Sequence, residues 1–194
     1  MKILKFRLIP FLLTLVMLTG VLAAVPPDVF AAPSVQTRTL MFYLDGANLE
    51  TNWGCATWNL VQSMEADYDE NLNYVVMTGG SNDWQTTAEY LDGAEEIDAE
   101  YDQIWKLEGK RDGEEHGKMK LIEPTGIEGF EKANMAIPQT LTAFIDYCYE
   151  KYPADQYDLI LWDHGGAFTS SFGMDDRFGE EYGLELAQLV TLFD

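Results

Sequence analysis

The chain has 194 residues, 33 of them Asp or Glu and 12 Lys or Arg, for a formal net charge of −21. A surplus of that size repels nucleic acid and anionic membrane and suits cationic partners. The length allows one domain with a sizeable core, and two cysteines are too few for a disulfide framework.

Lys2, Lys5 and Arg7 open the chain, residues 8–25 are almost wholly apolar, and Val29-Phe30-Ala31 places a small residue before Ala32. This is a secretory signal pattern over residues 1–31. An uncleaved anchor is the alternative, with an apolar run barely long enough to span a bilayer. Cleavage removes Lys2, Lys5, Arg7 and Asp28, so residues 32–194 would carry 9 basic and 32 acidic side chains, a net charge of −23. The expected product is secreted or held at the cell surface, with no membrane attachment after the cut.

Residues 39–44 read as a first strand, ended by the polar turn Asp45-Gly46-Ala47-Asn48. A helix is predicted over residues 55–66, with Trp58, Val61, Met64 and Glu65 at helical spacing. Residues 73–78 form a second strand, stopped by Gly79-Gly80. An acidic, irregular stretch follows, most of whose carboxylates read as a solvated face. Residues 103–107 and 118–122 are two strands joined by a charged loop in which His116 is solvated. Residues 138–151 give the clearest helix: Ile137, Leu141, Phe144, Ile145, Cys148, Tyr149 and Tyr152 share one apolar stripe. Pro138 suits its first turn and Pro153 ends it. Leu159-Ile160-Leu161-Trp162 reads as a buried strand of a parallel sheet. Leu186, Leu189, Val190 and Phe193 mark a last helix. Strands alternating with helices predict an α/β fold, a parallel sheet with helices on both faces.

The strand over residues 158–162 stops at Asp163-His164-Gly165-Gly166. In open α/β sheets the working groups gather where strands end. A histidine there can move protons, and the glycines let backbone approach a ligand closely. An ordinary polar turn is the plain alternative. Cys148 falls on an apolar helix face and reads as a small core residue. Cys55, near a helix start, could carry a reactive thiol. Pairing of the two stays open.

Several stretches act together: Phe42-Tyr43-Leu44-Asp45-Gly46-Ala47-Asn48-Leu49-Glu50, Val75-Val76-Met77-Thr78-Gly79-Gly80, Trp105-Lys106-Leu107, Asn134-Met135-Ala136 with Pro138-Gln139-Thr140-Leu141, and Tyr152-Pro153-Ala154-Asp155-Gln156-Tyr157 running on to Gly166. In this order and spacing, over residues 39–194, the chain resembles the clostripain family of cysteine peptidases. The resemblance implies a caspase-like three-layer α/β/α sandwich with a mostly parallel sheet. Residues 32–194 are then the N-terminal part of the peptidase domain, ending before the strand that carries the nucleophile. His164 matches the histidine of the family's Cys/His dyad, and Gly165 the glycine whose N–H helps hold the oxyanion. Neither Cys55 nor Cys148 matches the nucleophile, so this chain alone is expected to be inactive.

The resemblance also implies a secreted endopeptidase that cuts after basic residues, Arg preferred. Its partners are peptides or proteins bearing basic residues and the missing C-terminal part. Asp45, Asp175 and Asp176 are candidates for substrate binding, Asp163 another, with structural capping as the competing job. Members are commonly cut between the histidine and the cysteine at a basic residue. Arg177 is the one basic residue between His164 and Asp194, in a loop expected to be exposed. Calcium is a possible cofactor by resemblance, although the acidic clusters form no calcium loop. Two other readings compete. One is a non-catalytic extracellular module binding basic peptides on the same fold. The other starts from Leu44-Asp45-Gly46-Ala47-Asn48, which also resembles the opening of PIN-like metal-dependent nucleases, where carboxylates hold a metal.

Overall fold

The computed structural model describes residues 36–68, 70–165, 172–179, 183–185 and 188. The signal segment, Gly166 and the last predicted helix with Leu186, Leu189, Val190 and Phe193 lie outside the described residues. The strands are β1 (Arg38–Asp45), β2 (Leu72–Gly79), β3 (Leu91–Asp92), β4 (Gln103–Glu108), β5 (Lys118–Glu123) and β6 (Gln156–Trp162). The helices are α1 (Ala47–Trp53), α2 (Cys55–Met64) and α3 (Pro138–Lys151). One sheet runs in the order β3-β5-β4-β2-β1-β6.

β1 pairs parallel with both β2 and β6, and β3 parallel with β5. β4 is antiparallel to β2 and to β5. The sheet is therefore mixed. The short link from β4 to β5 carries no crossover helix, and only an antiparallel pair can be joined that way.

Alternation along the central strands divides the core between two faces. Phe42, Leu44, Val76 and Trp105 pack against Ala56, Leu60 and Met64 of α2. Met41, Tyr43, Val75, Met77 and Ile104 pack against Leu141, Phe144, Ile145 and Cys148 of α3. Helices thus cover both faces, as an α/β/α sandwich requires.

Several local expectations need correcting. The polar turn after β1 lasts one residue before α1 begins, a helix the sequence reading missed. α2 buries Ala56, Leu60 and Met64 at four-residue spacing and leaves Trp58 64% exposed, so its core stripe is not the one expected. The expected buried strand, β6, pairs with β1 alone among the described residues and is half-exposed, with Ile160 at 40%. Tyr149 lies off the buried stripe of α3, against Tyr157 with ring centroids 4.2 Å apart. His116 is half-buried rather than solvated, its Nδ1 2.8 Å from the Gly117 carbonyl and its ring 4.5 Å from that of Tyr90. Both cysteines are free, and burial pushes the Cys148 thiol up to about 12, which suits a core residue.

Candidate active site

β1, β2 and β6 run parallel in register, with Leu44 beside Thr78 and Trp162, so their carboxyl ends lie side by side. The loops that follow supply the chemistry. Asp163 and His164 come directly after β6, and Gly46 to Asn48 directly after β1. Ala47 has φ 40°, a left-handed backbone for a residue with a Cβ. Such a position costs about 1–3 kcal/mol and persists only where its surroundings impose it. Three residues on, buried Glu50 anchors α1. Its carboxylate accepts from the Thr57 N–H at 2.8 Å, the Thr57 hydroxyl at 2.6 Å and the Gln85 N–H at 2.8 Å. This fixes α1 against α2 and against the loop after β2.

His164 is exposed, and its Nε2 lies 2.8 Å from Asn48 Oδ1. Gly165 is exposed too, and among the described residues no atom beyond its chain neighbours lies within 4 Å of where a side chain would begin. An exposed imidazole thus stands beside unobstructed backbone, an arrangement able to exchange protons with a ligand and bond its oxygen.

Residues 172–179 are laced across these strand ends. Gly173 N–H donates to the His164 carbonyl at 3.1 Å, Met174 N–H to Asp163 Oδ2 at 2.7 Å and Asp176 N–H to the Gly80 carbonyl at 2.8 Å. The Thr51 hydroxyl donates to Asp176 Oδ2 at 3.0 Å. Met135 N–H donates to Asp175 Oδ2 at 2.9 Å. The Arg177 guanidinium binds Asp175 at 2.6 Å, Asp102 at 2.7 Å and the Ala133 carbonyl at 3.0 Å. Arg177 is only 13% exposed, so the loop expected to present it instead buries it in an ion pair with two carboxylates.

Burial dominates the electrostatics. Asp45 is fully buried with both carboxyl oxygens unpartnered among the described residues. Burial, then repulsion from Asp163, holds its carboxyl well above the usual range. Its Oδ1 lies so close to Gly80, at φ 75°, that a side chain there would collide with it. Burial lifts Asp163 to about 6, against backbone N–H donors from His164 and Met174. Burial lifts Asp102 to about 7, outweighing Arg177. The paired carboxylates hold Arg177 above its ordinary value, so it stays charged despite burial.

The sequence candidates therefore separate. His164, Gly165 and Asp163 come together at one edge of the site. Asp45 is buried beside Gly173, and Asp175, within residues 172–179, is buried too and committed to Arg177. Asp176 is half-buried and bonded to Thr51. Asn48, Asp102 and Thr51 were not foreseen. Among the described residues no three His, Cys, Asp or Glu side chains converge to hold a metal ion. Asp102 and Asp175 are engaged by the Arg177 guanidinium rather than open to a cation such as calcium. His164 meets Asn48 rather than a thiol, and Cys148 is inaccessible.

Comparison with known proteins agrees with this architecture. The model of the clostripain family matches residues 61–178. Clostripain from Hathewaya histolytica is 32% identical over 133 residues, covering 68% of this chain and 24% of clostripain. A solved structure of a secreted C11 cysteine protease from Bacteroides thetaiotaomicron, bound to an irreversible peptide inhibitor, aligns over 80% of this chain and 38% of that one. Its TM-score is 0.54 at 17% identity, a likeness of fold. The chain spans well under half the length of either relative. It has the caspase-like fold of these proteases, and it belongs to the clostripain family.

Proposed function

We propose that the chain supplies the histidine half of a secreted, clostripain-type cysteine endopeptidase that cuts after basic residues. The observation that carries this is the exposed His164 imidazole beside the open backbone of Gly165, at the carboxyl end of a strand in a clostripain-family fold. His164 takes the proton of a cysteine thiol, and the thiolate attacks the scissile carbonyl carbon. The Gly165 N–H supports the oxyanion. As the intermediate collapses, the C–N bond breaks and the amine leaves with the proton from His164. Water then hydrolyses the thioester, again with His164 as base.

The nucleophile in this reading is a third thiol, since Cys148 is buried and Cys55 matches no family position. Residues 32–194 alone should therefore leave arginyl amides intact. The charge of −21 supports a preference for basic substrates. Opening of residues 172–179 would be needed for Asp45 or Asp175 to meet one. Arg177 could serve as a processing site only after leaving its two carboxylates. The apolar segment within residues 1–31 supports export. No catalytic step is assigned to calcium. A non-catalytic module that binds basic peptides is the second reading, to which the surplus of acidic side chains is equally suited. The nuclease-like reading of the turn after β1 is set aside, because Asp45 is fully buried and among the described residues no three His, Cys, Asp or Glu side chains converge on a metal site.

The test is hydrolysis of arginyl, lysyl and alanyl amides by the full gene product, secreted and thiol-activated. Arginyl cleavage should disappear on alkylation, and His164→Ala should lower kcat by several powers of ten, about the loss seen when a triad base is removed. Near-normal turnover by His164→Ala would remove His164 from the chemistry. A full gene product that cleaves nothing would leave the binding module.

A further inference from the structure

A neutral imidazole carries one proton on two nitrogens, and only the nitrogen without it can accept another. A histidine that serves as base therefore needs its tautomer fixed as well as its position. At His164 the neighbour of Nε2 is Asn48 Oδ1, at 2.8 Å. A carboxamide oxygen can only accept, so Nε2 must donate. The amide is held in that sense from its other end, where Nδ2 points at Met174 Sδ, 4.0 Å away. Sulfur is a weak acceptor and offers the amide nitrogen a partner that the amide oxygen would lack. Met174 is itself anchored by its N–H on Asp163 Oδ2 at 2.7 Å, one residue before His164.

The asparagine has no competing structural job that explains it. Its described side-chain contacts are His164 and Met174 alone, with no bond to backbone. It stands second in α1, a helix entered through the left-handed Ala47 rather than a relaxed cap. Backbone strain is thus maintained next to the residue that meets the histidine. A neutral amide also orients the ring without adding a full charge beside it. The imidazolium formed in the reaction can then still release its proton to a leaving amine.

We propose that Asn48 is the positioning residue of His164, holding the ring in the Nε2–H tautomer so that the free Nδ1 lone pair faces the thiol. This inference rests on the peptidase reading for its kinetic arm but not for its spectroscopic one. The chain has 2 histidines, so one His116→Gln control assigns the His164 signals in two-bond nitrogen–proton spectra of the full gene product. Wild type should show the Nε2–H pattern for neutral His164. Asn48→Leu keeps the shape and removes the acceptor. It should show mixed tautomers and lose about 10- to 100-fold in kcat, an ordinary loss for a histidine that loses its orienting partner, with KM little changed. Asn48→Asp keeps an oxygen at the same place and should restore the Nε2–H pattern, which separates positioning from folding. If wild type hydrolyses nothing but the tautomer responds as stated, the peptidase reading fails and the positioning role stands. If wild type is active and Asn48→Leu changes neither tautomer nor kcat, the positioning role is wrong and the peptidase reading stands.

Discussion

Arg177 is the side chain whose placement departs furthest from its local context in the sequence. Flanked by Asp175, Asp176, Phe178 and Gly179, it reads as an exposed cation, worth about 0–1 kcal/mol in any surface pair. In the fold it is buried between Asp175 and Asp102, the latter 75 residues away. Removing it leaves two buried carboxyl groups without a counterion. Arg177→Ala should cost about 3–5 kcal/mol in urea unfolding, and Arg177→Lys should recover part of that, since an ammonium lacks the planar fork. A loss below about 1 kcal/mol would mean the cluster is neutralised by protonation alone. The position of His164 just past a strand end was legible from the apolar run before it and the glycines after it, a purely local signal. The partnership of His164 with Asn48 was not, since it spans 116 residues and exists only because β1 and β6 are neighbours. The same reason hid Asp102.

The elements divide along the same line. α3 was legible from Pro138 to Lys151, because fourteen residues of amphipathic spacing leave little room for another reading. Its buried stripe differs from its edge accordingly. Leu141→Ala should cost about 2–5 kcal/mol, whereas exposed Tyr149→Ala should cost under about 1 kcal/mol beyond its contact with Tyr157. Thermal or urea unfolding of the two variants checks this, and equal losses would mean the stripe is misplaced. α1 was illegible because it has 7 residues and is entered through Gly46 and a left-handed Ala47, which local rules read as a turn. The apolar run of β6 gave its existence but not its half-exposure. An edge strand and a central one look alike in sequence when both are rich in Leu, Ile and Trp. The expectation of a mostly parallel sheet held for β1, β2 and β6, which carry the site, and missed the antiparallel pairings of β4.

Across the whole molecule the buried acids set a pH dependence opposite to that of a protein stabilised by salt-bridged carboxylates. Burial raises Asp45, Asp102 (to about 7) and Asp163 (to about 6) from an ordinary 3.8. Between those values the folded chain binds more protons than the unfolded one, so stability falls as pH rises. The contribution is full below about 3.8 and lost as pH passes through 6 to 7. Self-repulsion among the surplus acids acts in the same direction. The thermal midpoint should therefore be higher at pH 5 than at pH 8, and Asp163→Asn should flatten the fall near pH 6. A midpoint that rises over that interval would contradict the assignment. Residues 172–179 have a consequence of another kind. They touch Gly80, Thr51, Met135, Asp102, Asp163 and the His164 carbonyl, anchors contributed by five separate stretches of chain. Covalent continuity between Gly165 and Phe172 is thus redundant with non-covalent attachment. A molecule nicked between them should still travel as one particle on a sizing column and come apart only in denaturant. The nick would leave each of those bonds from residues 172–179 in place.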